Sequence, residues 1–193
     1  MTWNRKKVVV AVPLFVLLVS VVGGLILSQS SDDVDVNLTN PGVVQTPGIG
    51  TNAPSSGKTF TFTEVVDIAT GETTTPAANG TPMVINFWFS TCEPCKREMP
   101  ALTQASQMYA GAVNFVGINP NDTRTSATAF LEKYNVDFTN YLDDGDQLAA
   151  AGVVNMPTTM FINGEGKIVS THAGEITLAD IENKISEYFG IGS

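Results

Sequence analysis

Only two residues in this 193-residue chain are cysteines, and they sit together as Cys92-Glu93-Pro94-Cys95. A bridge across so short a loop removes little entropy from the unfolded chain, so it makes a weak staple. A structural disulfide is the bland alternative, since exported proteins live where such bonds persist. Reversible thiol chemistry fits the spacing better. Pro94 has a backbone angle suited to the first turn of a helix, which puts Cys92 just ahead of that helix. There the unpaired amides and the helix dipole favour a thiolate, making Cys92 the nucleophile. Cys95, one turn further in and better shielded, is the thiol that resolves a mixed disulfide formed at Cys92. Glu93 acts in two opposed ways, repelling a neighbouring thiolate while standing at the positive end of the dipole.

Metal chemistry is a weaker alternative. A lone C-x-x-C is half of a zinc site, but His172 is the single histidine, so four Cys and His ligands cannot be assembled. A copper carrier using Cys92, Cys95 and His172 remains as a rival of a different class. No resident cofactor or metal is expected. The segment "NFWFSTC" lacks the P-x-x-x-T-x-x-C arrangement of a peroxidatic cysteine.

The elements that would hold the dithiol are legible around it. "MVINFWF", residues 83 to 89, is almost continuously apolar, as expected of a strand buried on both faces of a sheet. Leu102, Ala105 and Tyr109 then recur at helical spacing, and "VNFVGI" from Val113 to Ile118 reads as a second buried strand, completing a βαβ unit. Ala127, Phe130, Leu131 and Tyr134 mark the core face of a second helix. "TTMFI" and "KIVST" flank "NGEG", a hairpin signal. Thr177 and Asp180 form a capping box ahead of Leu178, Ile181, Ile185 and Tyr188 on one helical stripe. Upstream, the alternating "TFTFTEVV" predicts an edge strand, and "ATGETTTP" a turn into a short second one. The order is β-β-β-α-β-α-β-β-α, with a short extra helix around Gln147 to Ala151. This is an α/β fold, a mixed central sheet flanked by helices. Asp143, Asp144 and Asp146 read as solvated surface.

The N-terminal part has another composition. Arg5, Lys6 and Lys7 precede an uncharged run, Val8 to Leu27, long enough to cross a ~30 Å hydrocarbon layer as a helix. The basic cluster predicts a cytoplasmic tail (1–7), a transmembrane signal-anchor (8–27) and an extracytoplasmic remainder. A cleaved signal peptide is the alternative, though its apolar core is usually shorter, about 7–15 residues. Residues 28–57, rich in Ser, Asp, Asn, Pro and Gly, read as a flexible linker to a folded domain at 58–193. Beyond the run, seven basic residues face nineteen acidic ones, which argues against nucleic acid as a partner.

With "NFWFSTCEPCKREMP" after a buried strand and "NMPTTMFINGEGKIV" further on, residues 58 to 190 resemble the membrane-tethered thioredoxin-like proteins of the TlpA/ResA group. The resemblance implies a thioredoxin-like fold and a thiol-disulfide oxidoreductase with its domain outside the cytoplasmic membrane. It implies reduction of disulfides in exported proteins such as apocytochrome c, with electrons from a membrane thiol carrier of the CcdA/DsbD type. A disulfide-forming oxidase is the alternative, because the motif can be poised in either direction. By resemblance Pro157 is cis, and Met156 and Pro157 flank Cys92, where the backbone before the proline pairs with a substrate segment. Pro100 matches a helix-kinking proline. Glu98 matches a partly buried acid that exchanges protons with Cys95, a surface helix position being the bland alternative. Two departures stand out: Thr91 occupies the place usually held by Trp before the first cysteine, and Asn86 stands where ordinary thioredoxins carry a buried Asp, leaving Glu98 as the evident proton carrier.

Overall fold

The computed structural model describes Asn52, residues 55–77 and residues 79–192. The expected cytoplasmic tail, the spanning segment and most of the linker lie outside the described residues. Among the described residues no helix is long and apolar enough to cross a membrane.

A seven-stranded mixed sheet organises the domain. Its strands are β1 (Val65–Asp67), β2 (Thr73–Thr74), β3 (Met83–Phe87), β4 (Asn114–Asn119), β5 (Thr139–Leu142), β6 (Thr158–Ile162) and β7 (Ile168–Ala173). They lie in the order β2-β1-β5-β4-β3-β6-β7. β4 runs parallel to both β3 and β5, whereas β3 with β6, β6 with β7, β1 with β5 and β1 with β2 are antiparallel. The helices are α1 (Glu93–Met108), α2 (Arg124–Lys133), α3 (Asp146–Ala151) and α4 (Leu178–Phe189).

All five β3 residues are buried, and the pleat sends them to alternate sides. Val84 joins Trp88, Met99, Leu102, Phe130, Ile181 and Ile185 in the core beneath α1, α2 and α4. Met83, Ile85 and Phe87 enter the opposite core with Phe60, Phe62, Val116, Ile118 and Met160. The predicted capping box at Thr177 and Asp180 starts α4, and α4 packs against α1. Its stripe is carried by Ile181 and Ile185, which are buried; Tyr188 is exposed and Phe189 packs on the core instead. The hairpin expected at Asn-Gly joins β6 to β7.

Three features depart from expectation. Residues 59–64 form no edge strand: they make a single bridge, Thr59 with Lys167, while Phe60 and Phe62 insert into the core. The side chain of Gln147 takes the place of a strand partner, its oxygen accepting from Thr63 N at 2.8 Å and its amide donating to Thr61 O at 3.3 Å. β1 itself is internal, flanked by β2 and β5. β5 has no signal in the sequence, because "TNYL" neither alternates nor forms an apolar run. Asp143, expected on the solvated surface, is buried; its two oxygens accept from Gln147 N and Leu148 N, each at 2.9 Å, and so start α3.

Gly117 in the middle of β4 is required by space. A Cβ there would lie 1.8 Å from Asn140 Oδ1 and 2.7 Å from Trp88 Nε1. Those two atoms form a buried hydrogen bond of 2.9 Å, and the Trp88 ring stacks on Phe130 with centroids 4.6 Å apart. Gly117→Ala is expected to destabilise the domain by about 3 kcal/mol, from overpacking together with a broken buried hydrogen bond. Chemical denaturation with tryptophan fluorescence as the probe checks this directly.

Candidate active site

β3 ends at Phe87, and the chain turns through Trp88–Thr91 into α1. Cys92 is the N-cap of that helix: its backbone is extended and its Sγ accepts from Cys95 N at 3.2 Å. Pro94 lies in the first turn, as expected. The two sulfurs are joined, with 5.3 Å between the Cα atoms. Cys95 is fully buried and Cys92 is 5% exposed, so the outer sulfur is the one a partner can reach. Helix N-terminus and access together favour attack at Cys92 and resolution by Cys95.

Ser90 secures the turn before the helix. Its N–H and hydroxyl both donate to the Asp122 carboxylate, at 2.6 and 2.7 Å. Asn119, at the end of β4, donates to the same carboxylate at 2.7 Å. Sequence reasoning missed this clamp, whose signal is the Asn-Pro-Asn-Asp turn after a buried strand. Thr91 is exposed beside Cys92. Glu93 is also exposed and pairs with Lys96; that hydrogen bond and the ammonium charge hold its carboxyl below the usual range.

Met156–Pro157 is a cis peptide bond. The register places it: Thr158 pairs with Phe87, so the cis bond lies at the end of β3 where the chain departs for Cys92. Pro157 O accepts from Gly174 N at 2.8 Å. Met156 is partly buried against the core cluster that contains both cysteines. Val154, two residues before it, is 60% exposed. This apolar side chain on the same loop was not foreseen, and its signal is its place three residues before the proline.

Glu98 lies on the same face of α1 as Cys95, one turn on. It is 1% exposed, which removes the surface alternative. Oε1 accepts from Asn86 Nδ2 at 2.8 Å and Oε2 from Ile176 N at 3.0 Å. Burial pushes the carboxyl up to about 7; the two hydrogen bonds favour the ionised form and oppose that rise, while the Glu175 charge adds to it. Asn86 also donates to Thr159 Oγ1 at 3.0 Å, which links three elements through one amide. This contact was missed, although parity along β3 signals it: Asn86 shares the α1 face with Val84 and Trp88.

His172 does not join the cysteines. It pairs in register with Thr159, and its Nε2 lies 3.0 Å from Glu175 O. Among the described residues no three His, Cys, Asp or Glu side chains gather in a metal-ligating arrangement. The three-ligand copper alternative therefore lacks its geometry.

A buried disulfide at a helix head, a cis-proline loop beside it and a buried acid one turn on, on a mixed sheet of this order, define a thioredoxin-like fold with a C-x-x-C centre. The chain belongs to the Redoxin family, whose model matches residues 52–185. It is 34% identical over 114 residues to the thiol-disulfide oxidoreductase ResA of Bacillus subtilis, covering 58% of this chain and 62% of that one. Against ResA of Halalkalibacterium halodurans the identity is 32% over 105 residues, covering 53% and 60%. The chain thus spans about three fifths of the length of these curated relatives. Among solved structures it is similar to a secreted Mycobacterium tuberculosis disulfide oxidoreductase homologous to E. coli DsbE, with TM-score 0.60, 26% identity and coverage of 65% of this chain and 95% of that one. A DsbF homologue from Corynebacterium diphtheriae shares the fold with TM-score 0.63 at 19% identity, covering 74% and 96%.

Proposed function

We propose that the protein is a thiol-disulfide oxidoreductase of the ResA/DsbE type that reduces disulfides in exported proteins, with apocytochrome c as the substrate implied by the resemblance. The observation that carries this is the capped helix: one reachable sulfur at the N-terminus, its partner buried, and the buried Glu98 carboxyl one turn beyond the partner. In the reductive direction the Cys92 thiolate attacks a substrate disulfide, forming a mixed disulfide and expelling one substrate thiolate. Cys95 then passes its proton to the Glu98 carboxylate and attacks the Cys92 sulfur. This closes the Cys92–Cys95 disulfide and releases the second substrate thiolate, so two electrons leave the dithiol. A membrane dithiol carrier of the CcdA/DsbD type would restore it. Under this proposal residues 8–27 anchor the chain in the cytoplasmic membrane with the domain outside.

The reduction potential of the full-length chain in detergent, equilibrated against glutathione, tests the direction. A value near the thioredoxin end, about −270 mV, supports a reductase; one near the DsbA end, about −120 mV, makes it a disulfide-forming oxidase.

A further inference from the structure

The loop from α3 to β6 carries the cis bond, and a residue far away in sequence holds it. Asn52 Oδ1 accepts from two successive backbone amides, Val154 N at 2.8 Å and Asn155 N at 3.1 Å. Its Nδ2 donates to Thr158 Oγ1 at 2.7 Å. The Thr158 hydroxyl in turn donates to Asn155 O at 2.8 Å, which closes a ring through Asn52, Asn155 and Thr158. Met156 and Pro157 lie between the two pinned positions. Among the described residues the Met156 N–H and C=O have no backbone partner, which leaves them to pair with an added extended segment.

We propose that Asn52 is a positioning residue for substrate capture. It holds the Val154–Thr158 loop with the Met156 peptide groups turned out for a substrate segment. This ties the stretch of chain leading into the domain to the place where the substrate lies. The inference rests on the thiol-disulfide exchange reading above. An ordered loop is needed because an edge pairing gains little if the backbone must first be fixed. One side chain with an acceptor for two amides and a donor for a hydroxyl supplies that order, and Asn is the smallest that does. Cys92 chemistry itself owes nothing to Asn52, since the thiolate is favoured by the head of α1.

Full-length Asn52→Ala, in detergent, is expected to show about a tenfold higher KM for insulin reduction, with kcat and the rate of Cys92 alkylation by iodoacetamide within twofold of the parent chain. Amide hydrogen exchange at Val154 and Asn155 should quicken about tenfold or more. Asn52→Asp keeps the oxygen that accepts from both amides but loses the donor to Thr158 Oγ1, and should recover part of the loss, seen first as slower exchange at Val154 and Asn155 than in Asn52→Ala. Several outcomes overturn the proposal: an unaltered KM in Asn52→Ala, unaltered exchange at the two amides, alkylation that falls in step with insulin reduction, or no recovery in Asn52→Asp. A parent chain that reduces no insulin sinks the exchange reading and the capture role together, whereas an active parent with an unaltered Asn52→Ala sinks the capture role alone.

Discussion

Cys92→Ser is expected to lower disulfide exchange by roughly a thousandfold or more, to the uncatalysed background, because the attacking atom is gone and the buried Cys95 cannot replace it. Cys95→Ser should give a different defect. The first exchange proceeds, and the mixed disulfide at Cys92 then persists for want of a resolving thiol. Non-reducing electrophoresis after mixing with an oxidised protein separates the two: a covalent adduct with Cys95→Ser and none with Cys92→Ser. Unfolding does not confound the comparison. Loss of so short a bridge costs the oxidised protein no more than about 2 kcal/mol. An adduct formed equally by both variants would reverse the assignment of nucleophile and resolver.

Glu98→Gln carries the second large effect, in rate and in stability. With its carboxyl near 7, Glu98 passes from proton donor to acceptor across neutrality. The parent chain should therefore resolve mixed disulfides faster as pH rises through 7. The Gln variant, which keeps the shape and loses the proton site, should lack that limb and run about a hundredfold slower above it. Stopped-flow measurement of the resolution step from pH 5 to 9 reads both. The stability effect has the opposite direction. Between 4.5 and about 7 the folded Glu98 keeps a proton that the unfolded chain has lost, so stability falls as pH rises through that window and levels off above it. The whole fall is roughly 3 kcal/mol in the oxidised protein. Glu98→Gln should show denaturation midpoints that lack this slope, and an identical slope in both chains would show that the carboxyl is not the group titrating.

Much of this arrangement is legible in the order of the residues. Continuous apolar runs mark β3, β4 and β6 because strands buried on both faces need them, and the Thr177–Asp180 box and the Asn-Gly turn mark boundaries by local chemistry. The dithiol announces itself by spacing and by Pro94. What stayed hidden depends on tertiary partners. β5 is a strand because β1 and β4 pair with it, not because its four residues prefer to be one. Residues 59–64 look like a strand, yet Gln147 takes up their polar groups. Asp143 looks like surface until its carboxylate is seen at the start of a helix. The resemblance supplied Glu98, but not the Asn86 amide that connects it to Thr159. Asn52, in a stretch whose composition reads as linker, meets its partners only across about a hundred residues.

The pairing of Phe87 with Thr158 has a consequence for the newborn protein. Half of the reactive centre is translated long before the other half, and α1 by itself, with Pro100 in its interior, is too weak a helix to stand in water. A growing chain thus carries two commonplace thiols until β6 has been made. The pair gains its reactive setting only once the strand that carries Thr158 has docked beside Phe87.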